Sequence, residues 1–278
     1  MTLTELVEQI KAKQSFLCVG LDSDLQKIPA HLHREKEPLF AFNKAIIDAT
    51  AACAVAYKPN TAFYEAAGEA GWTQLRKTAD YIRTHYPRMF LIADAKRGDI
   101  GNTSNGYAKA FFSAMDMDAV TLSPYMGRDT VQPFLEYAGK WVILLALTSN
   151  TSAADFELME EAGTGKKLYE KVIETSKAWG SEANMMYVAG ATKAAMLQGI
   201  RKIIPNHFLL VPGIGAQGGS LAGVMQYGMN KNGGLLVNAS RTIIYASSGK
   251  DFATAAGEEA RKIQQEMESG LSELRTKS

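Results

Sequence analysis

The 278-residue chain is 46% hydrophobic and 21% charged, enough apolar material for a sizeable core, and this excludes an intrinsically disordered polypeptide. Its 30 Lys and Arg balance 29 Asp and Glu to a net charge of +1, so no basic excess is on hand to neutralise a nucleic-acid backbone. Two cysteines, Cys18 and Cys53, form neither a C-x-x-C pair nor a Cys/His metal spacing and read as small core residues.

From the N-terminus, Thr2 and Glu5 make a capping box that opens a helix over 2–13, where a secretion signal would need a basic flank and a continuous apolar run. A strand at 16–22 follows, then a helix at 38–53 and a strand at 54–59. Helix 72–85 precedes strand 89–94, helix 101–115 precedes strand 119–122, and helix 128–137 precedes strand 141–147. After a long polar connection at 148–165, either a mobile loop over the top face or a decorated surface excursion, come helix 165–179, strand 185–189, helix 192–203, strand 208–211, helix 220–227, strand 235–238 and a last helix at 252–273. Each strand is nearly all apolar, as parallel strands covered on both faces are. Eight strands alternating with helices, with no linker between them, predict an α/β chain folded as one (β/α)8 TIM barrel over residues 1–278. The strongest apolar run, 141–147, is far short of the ~20 residues that cross a bilayer. A soluble, cytoplasmic protein without membrane or nucleic-acid partners is expected.

Polar residues recur where the predicted strands end: Asp22, Lys58, Asp94 with Lys96, Ser123, the 213–219 loop and Arg241. In a barrel these ends form the active-site face. The densest is Asp94-Ala95-Lys96-Arg97-Gly98-Asp99, directly behind the apolar run 89–93. Residues two apart on a strand share a face, so Asp94 and Lys96 point together and Asp99 falls in the following turn. Alternating acid, base and acid offers each charge a partner, which burial near a strand end demands.

Gly213-Ile214-Gly215-Ala216-Gln217-Gly218 matches G-x-G-x-x-G, but it follows the seventh strand and no acid closes the next one, so a phosphate nest completed by Arg241 is expected rather than a dinucleotide fingerprint. Gly163-Thr164-Gly165-Lys166 lacks the rest of a P-loop and reads as a helix start. His31 and His33 sit in a polar loop without a third ligand and read as surface residues, while Met115, Met117, Met185 and Met186 read as core filling.

Asp94-x-Lys96-x-x-Asp99-Ile100-x-x-Thr103 resembles the signature of the orotidine 5′-phosphate decarboxylase family, in its longer bacterial branch. Gly20-Leu21-Asp22, Lys58-Pro59-Asn60, Leu122-Ser123-Pro124-Tyr125, Pro212-Gly213-Ile214-Gly215-Ala216-Gln217 and Ser240-Arg241 extend the likeness along the chain in the same order. The resemblance implies loss of carbon dioxide from orotidine 5′-phosphate without metal or organic cofactor, with Lys96, Asp94, Asp99 and Lys58 catalytic and Lys96 the proton donor. It also implies that Asp22 and Lys58 contact ribose, that Ser123 reads the pyrimidine, and that Gln217 spans base and phosphate in a loop with Pro212 and Gly215. Arg241 would hold phosphate, and Asp99, Ile100 and Thr103 would complete the site of a neighbouring subunit in a homodimer. Related phosphosugar enzymes that share D-x-K-x-x-D bind magnesium and carry an acid on the second strand, where this chain has Lys58; a cation there opposes a divalent metal. A ligand sensor on a degenerate barrel would be expected to have lost Lys96 or a flanking Asp.

Overall fold

The computed structural model describes residues 1–215 and 218–276. Eight parallel strands close on themselves in chain order: β1 (Leu17–Leu21), β2 (Ala54–Pro59), β3 (Phe90–Arg97), β4 (Ala119–Leu122), β5 (Trp141–Leu147), β6 (Met185–Ala189), β7 (Phe208–Pro212) and β8 (Leu235–Ala239). Closure is made by β8 against β1, Leu17 opposite Val237 and Val19 opposite Ala239. Every residue of β1, β2, β4, β6 and β8 is buried, which is why these segments read as nearly all apolar, with Lys58, Thr121 and Asn238 the exceptions.

The outer layer comprises α1 (Leu3–Lys13), α2 (Pro38–Thr50), α3 (Thr61–Glu65), α4 (Gly68–His85), α5 (Gly101–Ala108), α6 (Arg128–Leu135), α7 (Leu168–Ser176), α8 (Leu197–Ile203), α9 (Leu221–Gly228), α10 (Arg241–Ile244) and α11 (Phe252–Thr276). The Thr2 hydroxyl accepts the Glu5 N–H and the Glu5 carboxylate accepts the Thr2 N–H, the expected capping box. Pro38 starts α2, and Leu39, Phe42, Asn43, Ile46, Ile47 and Thr50 recur at helical spacing to bury one face against the barrel.

Several boundaries differ from the sequence expectation. Strand β3 runs on through Lys96 and Arg97, past the Asp94 at which apolar character stops. The helix expected over 101–115 changes to π-helical geometry from Lys109 to Ala114, and the helix expected from 192 begins as a 3-10 turn over Ala191–Met196. Gly163 and Gly165 adopt left-handed angles in a turn, and α7 starts only at Leu168, so the glycine pair precedes the helix rather than opening it. His31 and His33 are exposed, Met117, Met185 and Met186 are fully buried, and Met115 is partly buried.

Candidate active site

Most of the expected site residues gather where β1, β2, β3, β7 and β8 end. Between Ala93 and Arg97 the register of β3 against β4 slips, and Lys96 takes a left-handed φ of 47°, unusual for a residue with a Cβ. That bend keeps Lys96 on the side of Asp94: the Lys96 Nζ lies 2.5 Å from Asp94 Oδ1. From β2, the Lys58 Nζ lies 2.6 Å from Asp94 Oδ2, with Lys58 4% exposed and Asp94 9%. The two ammonium groups therefore grip the two oxygens of one carboxylate.

Burial by itself would raise the pKa of Asp94, but the adjacent Lys58 and Lys96 ammonium groups, with the hydrogen bonds they donate, hold it well below the ordinary carboxylate range. Burial likewise opposes a charged Lys58, and the Asp94 and Asp22 carboxylates outweigh it, keeping this ammonium above the usual lysine value. Asp22 carries a buried Oδ1 with no hydrogen-bond partner among the described residues. A buried acceptor left open is an invitation to a donor on a ligand.

These residues line a cavity of about 290 Å³. Leu145, Val188 and Leu210 supply apolar wall from β5, β6 and β7; Thr148, Ser149 and Asn150 supply polar wall after β5; Pro212 ends β7, with Gly213 and Ile214 behind it; and Asn238 comes from β8, with Ser240 and Arg241 behind it. Arg241 is exposed and makes no ion pair among the described residues, so its guanidinium is available to an anion. Glycine is required at position 190: a Cβ there would fall 2.8 Å from the Ser149 N and Cα and 2.9 Å from the Thr148 carbonyl carbon. The end of β6 thereby presses the polar β5 wall against the cavity.

Six of the expected site residues, Asp22, Lys58, Asp94, Lys96, Pro212 and Arg241, meet at this cavity. Gly215 lies in the adjoining loop with φ 71° and does not line it, and Gln217 is outside the described residues. Asp99 departs from the pairing expected of it: its carboxylate accepts the Ile100 N–H at 2.8 Å, and the Lys96 ammonium rests on Asp94 instead. Ile100, 54% exposed, and Thr103, also exposed, lie just beyond it at the start of α5, away from the cavity. Ser123 stands outside as well, its N–H donating to the Arg97 carbonyl at 2.8 Å.

Thr148, Ser149 and Asn150 open the polar connection 148–165 and were not among the expected site residues, although a hydroxyl and amide run behind the apolar strand 141–147 is the same signal that drew attention to Ser123. The connection that follows is tied to this wall. Glu157 accepts the Thr148 N–H and hydroxyl, each at 2.7 Å, and the Lys193 ammonium donates to the Thr148 carbonyl at 3.1 Å. Among the described residues no group of three His, Cys, Asp or Glu side chains is placed to share a metal ion, and no helix is long and apolar enough to cross a membrane.

Residues 15–256 match the family model described as orotidine 5′-phosphate decarboxylase / HUMPS family. The chain is 60% identical to the orotidine 5′-phosphate decarboxylase of Phocaeicola vulgatus, over 96% of this chain and 98% of that one, and 61% identical to that of Christiangramia forsetii, over 99% and 100%. Among solved structures it is similar to Leishmania donovani UMP synthase, with a TM-score of 0.81 and 36% identity, over 95% of this chain and 57% of that longer one.

Proposed function

The chain belongs to the orotidine 5′-phosphate decarboxylase / HUMPS family and is a decarboxylase of orotidine 5′-phosphate in pyrimidine synthesis, and we propose that it performs this reaction with side chains alone, through the Lys58–Asp94–Lys96 array. The bond between the ring carbon and its carboxylate breaks, carbon dioxide departs, and the electron pair stays on the ring carbon in the ring plane, out of reach of the π system. Lys96, as the ammonium, stabilises that pair by proximity and then delivers a proton to it, to be recharged from solvent. Asp94 is fixed in its charged form between two cations, so a substrate carboxylate set beside it meets like charge that vanishes as carbon dioxide leaves.

Around this centre, Lys58 and the open Oδ1 of Asp22 face the ribose hydroxyls, and Ser123, together with the Thr148–Asn150 wall, supplies hydrogen bonds to the ring edge. The 212–215 loop and Arg241 hold the phosphate, with Gln217 assigned to the same loop by resemblance. Asp99, partly buried, and the exposed Ile100 and Thr103, none of which lines its own cavity, complete the site of a second copy in a cytoplasmic homodimer. The single observation that carries the metal-free reading is Lys58 at 2.6 Å from Asp94, a cation occupying the place where a divalent ion would need an acid. Following the absorbance loss of orotidine 5′-phosphate with purified protein, before and after exhaustive chelation, tests it. Equal turnover is expected; loss of turnover restored by magnesium would instead set the chain beside the phosphosugar enzymes of the family.

A further inference from the structure

Strand β4 contributes one inward residue to the level of the cavity at which β5, β6 and β7 contribute Leu145, Val188 and Leu210. That residue is Thr121, 1% exposed and polar among apolar neighbours. Its Oγ1 lies 3.0 Å from the Ala95 N and 2.9 Å from the Lys96 N, and 3.2 Å from Asp94 Oδ1. A hydroxyl has two acceptor positions and one proton. Both acceptor positions are filled by backbone N–H groups, and the proton goes to Asp94, a nearer acceptor than the Ala93 carbonyl at 3.5 Å. The three bonds occur where β3 slips register against β4, so these two N–H groups have left the regular ladder and Thr121 gives them a partner.

Lys96 is held here at φ 47°, a conformation that its Cβ opposes. Clamping the N–H of Lys96 and of the residue before it fixes the main chain on the entry side of that strained residue. The same hydroxyl fixes the Asp94 oxygen against which the Lys96 ammonium rests. We propose that Thr121 is a positioning residue for the reaction: through one hydroxyl it sets both the left-handed backbone that aims Lys96 and the orientation of the carboxylate beside it. This rests on the assignment of Lys96 as proton donor. Valine in its place keeps the shape and the strand preference, deletes the proton to Asp94 and leaves two N–H groups unmatched, so Lys96 can relax toward extended backbone and carry its ammonium off the ring carbon.

The test compares Thr121→Val and Thr121→Ser with the unaltered protein, reading kcat and KM for orotidine 5′-phosphate and the dissociation constant of uridine 5′-phosphate by titration. Misplacing a reacting group by about 1 Å costs on the order of 100-fold in rate. Thr121→Val is expected to lose about that much kcat with product affinity held within about threefold, and Thr121→Ser, which keeps the hydroxyl, to recover most of the loss. Retention of kcat by Thr121→Val, an equal fall in kcat and product affinity, or a serine variant no better than valine would each overturn the role. Should the valine variant not fold, Thr121→Ala is read against Thr121→Ser by the same criteria. Absence of turnover in the unaltered protein would strike at the function itself and not at Thr121.

Discussion

Exchanging Lys96 for Gly and, separately, for Ala separates what this residue does for catalysis from what its backbone does to stability. Left-handed geometry costs a residue with a Cβ about 1–2 kcal/mol and costs Gly nothing. Glycine gives back about 0.5–1 kcal/mol through its greater freedom in the unfolded chain. The ion pair with Asp94 disappears equally in both variants; with the Lys96 side chain 49% exposed, solvent screening limits it to about 1 kcal/mol. The difference leaves Lys96→Gly more stable than Lys96→Ala by about 0.5–1 kcal/mol, the reverse of the order at an ordinary strand position, and a melting point about 2 °C higher follows for a chain of this size. Both variants lose the proton donor and the cation at the reacting carbon, effects worth about 10²–10⁴-fold and about 3–4 kcal/mol respectively, so kcat/KM falls at least about 10⁴-fold. Thermal denaturation and the absorbance assay, run on the same preparations, give both answers. An alanine variant more stable than the glycine one would refute the left-handed backbone, and turnover within tenfold of the unaltered protein in either would refute Lys96 as the donor.

Arg241→Ala is expected to lower kcat/KM for orotidine 5′-phosphate by several kcal/mol equivalent and to leave the slow reaction of the phosphate-free nucleoside nearly unchanged, because binding energy from the remote phosphate is what it removes; equal losses on both substrates would make Arg241 structural. Mixing inactive Lys96→Ala protein with inactive Asp99→Ala protein and allowing subunits to exchange is expected to restore part of the activity, since a hybrid dimer holds one site free of both lesions. No recovery in exchanged mixtures, with hybrids verified by mass, would mean that each site is built within one chain.

The barrel was legible because parallel strands covered on both faces are nearly all apolar, so β4, β5 and β6 have the bounds their composition marks, and β2 does too despite Lys58. The rule fails where a strand carries charge. Lys96 and Arg97 continue β3, yet they look like the start of a loop. Strand-end side chains are aimed by register slips, and two of these, at 93–97 and at 145–147, fall at the site. Residue order alone cannot foresee a slip, and alternating charge suggests a partner for Asp99 that the folded strand end does not supply. Asp94 and Lys96 survived the translation because two residues apart on one strand is a spacing the bend at Lys96 preserves. Short α3 and α10 lack enough turns to leave a periodic signal.

The backbone contact at Gly190 restricts how this pocket can be re-engineered. The smallest possible side chain there already collides with main-chain atoms of Thr148 and Ser149, and main chain does not swing aside as a lysine tip would. Substitution at this position therefore acts as a step and not as a dial: even Ala shifts the entire polar wall. Gradual remodelling for a bulkier or slimmer ring belongs to Leu145, Val188 and Leu210, whose side chains end at the cavity and can be shortened by one carbon at a time for about 1 kcal/mol each. A library that spares position 190 and varies those three would sample ring shapes while leaving the Lys58–Asp94–Lys96 array in place.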